Sequence, residues 1–296
     1  LLAAFLPAGK RAGVAWLNLA SGALTLAEGP LADAAATLER IEPAELLLPE
    51  DVPAPALRGR AVPARALPAW HFDRAAAEKA LARELGTLDL AAHGASEVPL
   101  AVAAAGALVG YAGATQQAAL SHVRELRVEQ RGEFLALDPA TRRNLEITST
   151  LGGDPAPTLL SLLDACATAA GSRRLRQWLT QPLADPSRAA ARHDATAVLV
   201  ERTDVRAAAA ERLKRTADVE RIASRVALLT ARPRDLAGLR DTLAALPALA
   251  ALLDGLDAPL LAAARAALGI DPRWTARLVA AIAPEAPTRL TGTIGT

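Results

Sequence analysis

The chain has 296 residues, enough for two domains of ordinary size. Its 33 Lys and Arg nearly cancel its 32 Asp and Glu, which excludes the uniformly basic surface of many free-standing nucleic-acid binders. The single cysteine, Cys166, excludes an internal disulfide and a paired-thiol motif, and it predicts a cytoplasmic protein. The start at Leu1, without Met or a basic leader, predicts numbering that begins inside a longer protein.

The first third of the chain has the pattern of a mixed α/β domain. Its first long apolar run is hydrophobic at consecutive positions, as in a central strand covered on both faces. Ser21-Gly22 supplies a turn, and Pro49 ends a later apolar run because proline cannot donate to a ladder. We predict strands at 13–19, 23–27 and 45–48, a helix at 31–40 and an extended connection at 49–69.

Helical patterns begin at Asp73. This residue can cap a helix over 74–85, and Gly86 is placed to end it. The uncharged run 98–114 is nearly long enough to span a bilayer, but Ala and Gly gain little from lipid. We therefore predict no membrane contact and a buried helix that packs closely through Gly106, Gly110 and Gly113.

The second part of the chain is predicted to be nearly all helical. Residues 124–128 alternate like a short exposed strand, and we place a domain boundary at Arg131. Helix starts are indicated where Pro follows or precedes a capping Asp: Asp138-Pro139, Asp185-Pro186, and Pro233 with Asp235.

Local motifs predict no catalytic, cofactor-binding or metal-binding residue. No glycine loop followed by Lys and Ser or Thr is present to hold a nucleotide phosphate, and no G-x-S-x-G motif is present to expose a nucleophile. The histidines lie far apart in sequence: His71, His93, His122 and His193. A hairpin followed by helix and strand is typical of the ribonuclease H fold, but Asn18 on the central strand is a poor substitute for a metal-bridging carboxylate. A nuclease is therefore disfavoured.

One basic helix leaves two interpretations open. Arg173 and Arg176 share a helical face, and Trp178 lies on another. The arginines could contact phosphate. Alternatively, the helix is amphipathic, its Trp packs inward and its arginines pair with acids such as Asp164 or Asp185.

Residues 137–147, LDPATRRNLEI, resemble the D-x-x-T-x-R-N-L-E signature that opens the core of the MutS family of DNA mismatch-repair proteins. Later stretches follow the family's order at 158–164, 168–173, 178–183, 218–222 and 231–236. The resemblance carries over these residues as structural signature positions: Asp138, Thr141, Arg142, Asn144, Leu145, Glu146, Asp164, Gly171, Arg173, Trp178 and Pro182.

The upstream segments 13–22 and 43–50 resemble the MutS connector. The resemblance thus implies an α/β ribonuclease H-like connector without nuclease activity over 1–131, and a mainly α-helical core or lever domain over 132–296 that stops before the clamp. Ala170 and Arg174 depart from the family's usual apolar residues, which predicts looser packing if these positions are buried. The end of the chain, 291–296, matches the family only in part.

The resemblance implies that this segment couples mismatch-reading, clamp and ATPase parts mechanically, and itself binds no cofactor. The intact protein would be a homodimer and a DNA-dependent ATPase that binds mispaired duplex DNA and uses ATP with Mg²⁺. A MutL-type partner would dock on the connector. We predict that Glu78, Arg83 and Glu84 are exposed for this contact while Leu81 and Leu85 face inward. The alternative for this helix is an ordinary solvated helix with no partner. The alternative is an independent helical adaptor that binds proteins and has no repair role.

Overall fold

The computed structural model describes residues 1–19, 21–55, 57, 62–116, 123, 125–135 and 137–283. The chain forms a mixed α/β part followed by a mostly helical part. By packing it divides into two compact units, Leu1–Leu159 and Leu160–Thr296, called here the first and second units. The division predicted at Arg131 lies inside the first unit.

The first unit contains a six-stranded sheet in the order β5-β4-β1-β2-β3-β6. Strand β2 is antiparallel to β1 and β3, whereas the pairs β1/β4, β4/β5 and β3/β6 are parallel. The strands predicted at 13–19, 23–27, 45–48 and 124–128 are confirmed within a few residues, although Arg124 and Ala20 lie outside the described residues. The strand bounds are β1 Leu2–Ala8, β2 Arg11–Asn18, β3 Ala23–Pro30, β4 Glu45–Pro49, β5 Ala64–Leu67 and β6 Glu125–Val128.

Two strands were not predicted. Strand β1 opens the chain with an apolar run that has no turn before it. Strand β5 has three exposed residues out of four and lies in the Pro- and Ala-rich stretch that suggested an extended connection. Strand β1 forms a hairpin with β2 across Gly9 and Lys10, which is a local signal, whereas β5 is defined by its long-range pairing with β4.

Helices cover both faces of the sheet. Helix α1, Leu31–Ile41, packs on the face that carries Phe5, Val14 and Trp16. Helices α2, Arg74–Leu85, and α3, Pro99–Gln116, pack on the opposite face with Leu17 and Leu26. Alternate residues of one strand point to opposite faces, so an unbroken apolar run such as residues 12–17 is buried on both sides.

The predicted limits of α2 and the predicted start of α3 are confirmed. The sequence pattern extends α3 to about His122, and that predicted end lies outside the described residues. The Asp73 carboxylate accepts a hydrogen bond from the amide of Ala76 at 2.7 Å, and Gly86 ends α2 with φ +66°. Close packing through glycine is confirmed at Gly106 alone, where an added Cβ would lie 2.3 Å from the Cβ of Ala77. It is wrong at Gly110 and Gly113, where nothing lies within 4 Å of an added Cβ. None of the helices in the described ranges is long and apolar enough to cross a bilayer.

The start of α3 lies directly on the sheet. A Cβ at Gly13 of β2 would come within 2.2 Å of the backbone nitrogen of Ala101. Glu28, the register partner of Gly13 on β3, accepts hydrogen bonds from the amides of Leu100 (2.8 Å) and Ala101 (3.4 Å). The Glu28 carboxylate therefore satisfies the first amides of α3, and its negative charge interacts favourably with the positive N-terminal end of the helix dipole.

The helices after β6 begin mostly where predicted. Asp138 and Asp185 cap α4 and α7, and Asp235 accepts the amide of Arg232 at 3.0 Å where α10 begins. Asp271-Pro272 carries the same pattern at the start of α12, which was not among the predicted helix starts. The bounds are α4 Pro139–Asn144, α5 Leu159–Leu163, α6 Ala169–Thr180, α7 Pro186–Glu201, α8 Thr203–Leu213, α9 Val219–Ala227, α10 Pro233–Leu252, α11 Pro259–Ala267 and α12 Pro272–Ala281.

The helices of the second unit bury few side chains. Its apolar cluster joins α7, α8 and α11, and no residue of α6 or α12 is buried. The cluster consists of Ala195, Val205, Leu256, Ala258 and Leu261.

Candidate functional site

The signature segment after β6 forms a capped turn. The Asp138 carboxylate accepts hydrogen bonds from the amides of Ala140 and Thr141 at 2.9 Å each, and from the Thr141 hydroxyl at 2.7 Å. These bonds, the Thr141 hydroxyl's first, lower the pKa of Asp138. The spacing of Asp and Thr in the signature is therefore that of a helix N-cap.

Arg142, Asn144 and Leu145 occupy helix α4 and its end. The half-buried Arg142 donates to the carbonyl of Leu137 at 3.2 Å, while Asn144 and Leu145 are exposed. Burial, and then the nearby charge of Arg40, lower the pKa of Arg142. The signature segment thus lies close to the C-terminal end of α1.

Glu146 ends the signature in a left-handed conformation, with φ +45°. Its carboxylate accepts the amide of Leu151 at 2.6 Å, and its carbonyl accepts the amide of Leu159 at 3.0 Å. These bonds offset the strain of a non-glycine residue at positive φ. Glu146 therefore shapes the chain between α4 and α5.

A buried ion pair joins α1 to the segment after β6. Arg40 contacts Glu129 at 2.5 Å, and their side chains are only 8% and 12% exposed. The Arg40 guanidinium lies 5.7 Å from the ring centroid of Trp16 and 5.3 Å from that of Phe134. Burial raises the pKa of Glu129, although Arg40 acts in the opposite direction. Sequence pattern alone did not indicate this pair, because its partners are far apart in the chain.

In the second unit, the structure brings two signature stretches together. Arg173 of α6 donates two bonds to the carboxylate of Asp218, at 2.9 and 2.8 Å, and one to Glu220 at 2.7 Å. Asp218 also caps α9. The expectation of acidic partners is thus confirmed for Arg173, whose partners are Asp218 and Glu220 at the start of α9 rather than Asp164 or Asp185.

Asp164 and Asp185 instead hold local turns. Asp164 accepts the amide of Cys166 at 3.2 Å and the hydroxyl of Ser172 at 2.9 Å, which lowers its pKa. Asp185 accepts the amide and the hydroxyl of Ser187. Both acids therefore stabilise helix ends.

The glycine at 171 fits a tight helix start. Thr168 caps α6 by accepting the amide of Gly171 at 3.0 Å. A Cβ at this glycine would lie 3.1 Å from the Thr168 hydroxyl and 3.2 Å from the Cβ of Cys166. At the other end of α6, Pro182 is half-buried two residues beyond the last helical position.

The inward packing predicted for Trp178 is wrong. Its side chain is 38% exposed, and the guanidinium of Arg192 from α7 lies 3.9 Å from its ring centroid. The Trp ring thus packs against a cation rather than a hydrophobic core. Ala170 and Arg174 are also exposed, so their departures from the family pattern loosen no buried packing.

The predicted docking residues on α2 differ in exposure. The Arg83 side chain is 79% exposed, but Glu84 beside it is only 21% exposed. Glu78 is 45% exposed and pairs with Arg74 at 2.7 Å. Leu81 is fully buried and Leu85 partly buried, as predicted. The exposure prediction thus holds fully for Arg83 alone.

A groove runs along one side of α2. It has a volume of about 370 Å³ and includes Glu78 among its lining residues. Leu88 at its edge is fully exposed. The groove offers an apolar contact flanked by both signs of charge, since Lys79 and Asp89 also line it.

The remaining candidates have structural roles. The amide oxygen of Asn18 accepts the backbone amide of Ser21 in the hairpin turn, at 3.4 Å. His71 stacks on Trp70 with ring centroids 3.7 Å apart, and His122 lies outside the described residues. Within the part of the chain that the structure describes, no group of three or more His, Cys, Asp and Glu could hold a metal ion.

Comparison with protein families accounts for both parts of the chain. The model of MutS domain II matches residues 1–124, and that of MutS domain III matches residues 140–294. The chain belongs to the MutS family of mismatch-repair proteins. The MutS domain II match covers β1 through α3. The MutS domain III match begins inside α4, just after the capping Asp138, and contains the Arg173 ion pairs.

Proposed function

We propose that this chain is the connector and lever portion of a mismatch-recognition protein, and that it couples the mismatch-reading, clamp and ATPase parts mechanically. The observation that carries the proposal is the succession of the two MutS matches along one chain.

The connector is proposed to have a ribonuclease H-like fold without nuclease activity. The strand order β3-β2-β1-β4-β5, with an antiparallel meander and two further parallel strands, supports this assignment. Asn18 supports the absence of activity, since a neutral amide on the central strand is engaged in a turn.

For the intact protein we propose a cytoplasmic homodimer that binds mispaired duplex DNA and hydrolyses ATP with Mg²⁺. For the chain itself we expect weak, salt-sensitive DNA binding. The test measures its binding to homoduplex and to G·T-mismatched DNA, with and without ATP. Equal affinities in all four conditions are the expected result. Mismatch preference or ATP-driven release would contradict the proposal, because the chain would then carry recognition assigned to other parts.

We further propose that a MutL-type partner docks on the exposed side of α2. Reversing charge in Arg83→Glu/Glu84→Arg should weaken its binding to the chain at least fivefold. The matched control, Arg273→Glu, changes an arginine that is 90% exposed in the second unit and should leave binding unchanged. Equal binding by the α2 variant and the unchanged chain would refute this surface. If the chain binds other proteins but no MutL-type protein, the result would favour the alternative of an independent helical adaptor without a repair role.

A further inference from the structure

The balanced net charge of the chain conceals two oppositely charged units. The first unit has 14 basic and 18 acidic residues, a net charge of −4. The second unit has 19 basic and 14 acidic residues, a net charge of +5. A local positive field is thus available in the helical unit.

Part of this charge is concentrated where α6 meets α7. Arg174 and Trp178 are four residues apart on α6, and Arg188 and Arg192 are four apart on α7, so each pair shares a helical face. The contact of 3.9 Å between the Arg192 guanidinium and the Trp178 ring brings the two faces together. We call these four residues the α6–α7 arginine cluster.

Arg174 and Arg192 differ from the adjacent Arg173 in having no carboxylate partner in the described ranges. Arg173 is saturated by Asp218 and Glu220. Among the described residues, neither Arg174 nor Arg192 has a carboxylate within 4.0 Å. Arg174 donates to the neutral amide oxygen of Gln177 at 2.7 Å. Two guanidiniums are therefore left without a counter-charge.

The arginines also repel one another. Burial lowers the pKa of Arg192, and the charges of Arg188 and Arg174 lower it further. Asp185, which accepts from Ser187 at the start of α7, also interacts with the charge of Arg188, so Arg174 and Arg192 carry the argument. A bound anion would relieve this repulsion, and guanidinium forks match the oxygens of a phosphate.

We propose that the α6–α7 arginine cluster binds the phosphate backbone of duplex DNA. The inference rests on the proposed function only for the choice of DNA as the polyanion. Contacts to phosphate oxygens carry no sequence information, so binding should be independent of sequence and of mismatches.

The test is DNA binding by the full chain carrying Arg174→Gln/Arg192→Gln, measured by fluorescence anisotropy across a salt titration. We expect affinity for a homoduplex to fall about tenfold at low salt, and the slope of log affinity against log salt to shrink by about 2. The matched control, Arg206→Gln/Arg212→Gln, removes two exposed arginines of α8 and should change affinity less than twofold. Single variants at 174 and 192 should each lose about threefold in affinity.

Several outcomes would overturn the inference: no DNA binding by the unmodified chain, equal losses in the cluster and control variants, or no loss in the cluster variants. A polyglutamate chain that binds with the same dependence on Arg174 and Arg192 would assign the cluster to an acidic protein partner instead. Mismatch preference by the unmodified chain would contradict the proposed function alone, because the cluster variant would still report the backbone contact.

Discussion

The two units of this MutS chain differ in their internal packing. In the first, long apolar strands are buried on both faces, and residues such as Leu17, Leu26 and Leu108 are fully buried. In the second, each helix buries at most a few side chains, and apolar residues such as Leu229 and Trp274 are 89% and 56% exposed. Polar contacts add to this packing: the backbone amide of Ala217, for example, donates to the Thr242 hydroxyl of α10 at 2.8 Å.

The difference indicates that the contacts of the first unit open cooperatively, whereas those of the second unit can open one at a time. Apolar packing on both sides of a sheet is lost only when many contacts open together, whereas a few polar links can break and re-form singly. Four substitutions test this contrast.

The largest effect is expected at the contact between α3 and the sheet. Gly13→Val would place a side chain where the backbone of Ala101 lies 2.2 Å from the added Cβ. We expect the free energy of unfolding to fall by about 4 kcal/mol, measured by urea denaturation. Gly29→Ala, on the neighbouring strand with open space around it, is the matched control and should change stability by less than about 1 kcal/mol. Similar losses in both variants would mean that the close approach of α3 is unimportant.

The next effect concerns the buried ion pair of the first unit. Arg40→Met leaves the Glu129 carboxylate buried without its partner, which should cost about 3 kcal/mol at neutral pH. The pKa of Glu129 is already raised above 4.5 and should rise further without Arg40, so the folded state would bind a proton more tightly than the unfolded state. The destabilisation should therefore shrink as pH falls through that raised pKa. Arg74→Met, at the exposed pair with Glu78, should cost less than about 0.5 kcal/mol at any pH.

A smaller effect is expected when the ion pairs of Arg173 in the second unit are removed. Arg173→Ala should cost about 1 kcal/mol at neutral pH, because Arg173 is 47% exposed and water screens its ion pairs. Arg173 lowers the pKa of Asp218 below 3.8, so this stabilisation exists above that pH and is lost as pH falls through the lowered pKa. Thermal melts at pH 7 and pH 3 should therefore differ less in the variant than in the unmodified chain. An unchanged acid response would show that the pair contributes nothing to stability.

The smallest effect should be stabilising. Leu229 follows α9 with φ +55° and is 89% exposed, so its side chain adds strain and little packing. Leu229→Gly should raise the free energy of unfolding by up to about 1 kcal/mol. Leu228→Gly is the control: Leu228 has φ −86° and gains nothing from glycine's freedom, so this change should not stabilise. A loss of stability in Leu229→Gly would indicate that the exposed leucine packs against something in solution.

Much of the fold could be predicted because the signals are local. Asp73, Asp138 and Asp185 cap the helices predicted for them, and apolar runs mark β2 and β4. The candidate site was harder to predict. Its signature positions could be listed, but whether a given side chain is exposed depends on neighbours distant in the chain, so Trp178 was placed inside and Glu84 outside.

The sequence by itself determined the helix starts, the central strands and the family, because caps, apolar periodicity and motif order are all encoded within short stretches. Only the tertiary structure decided that β1 and β5 flank β4, that Arg40 meets Glu129, and that Arg173 rather than Arg174 finds carboxylates. The physical reason is distance along the chain. Pairing of edges and charges between remote segments depends on how whole elements pack, and no local pattern records that arrangement.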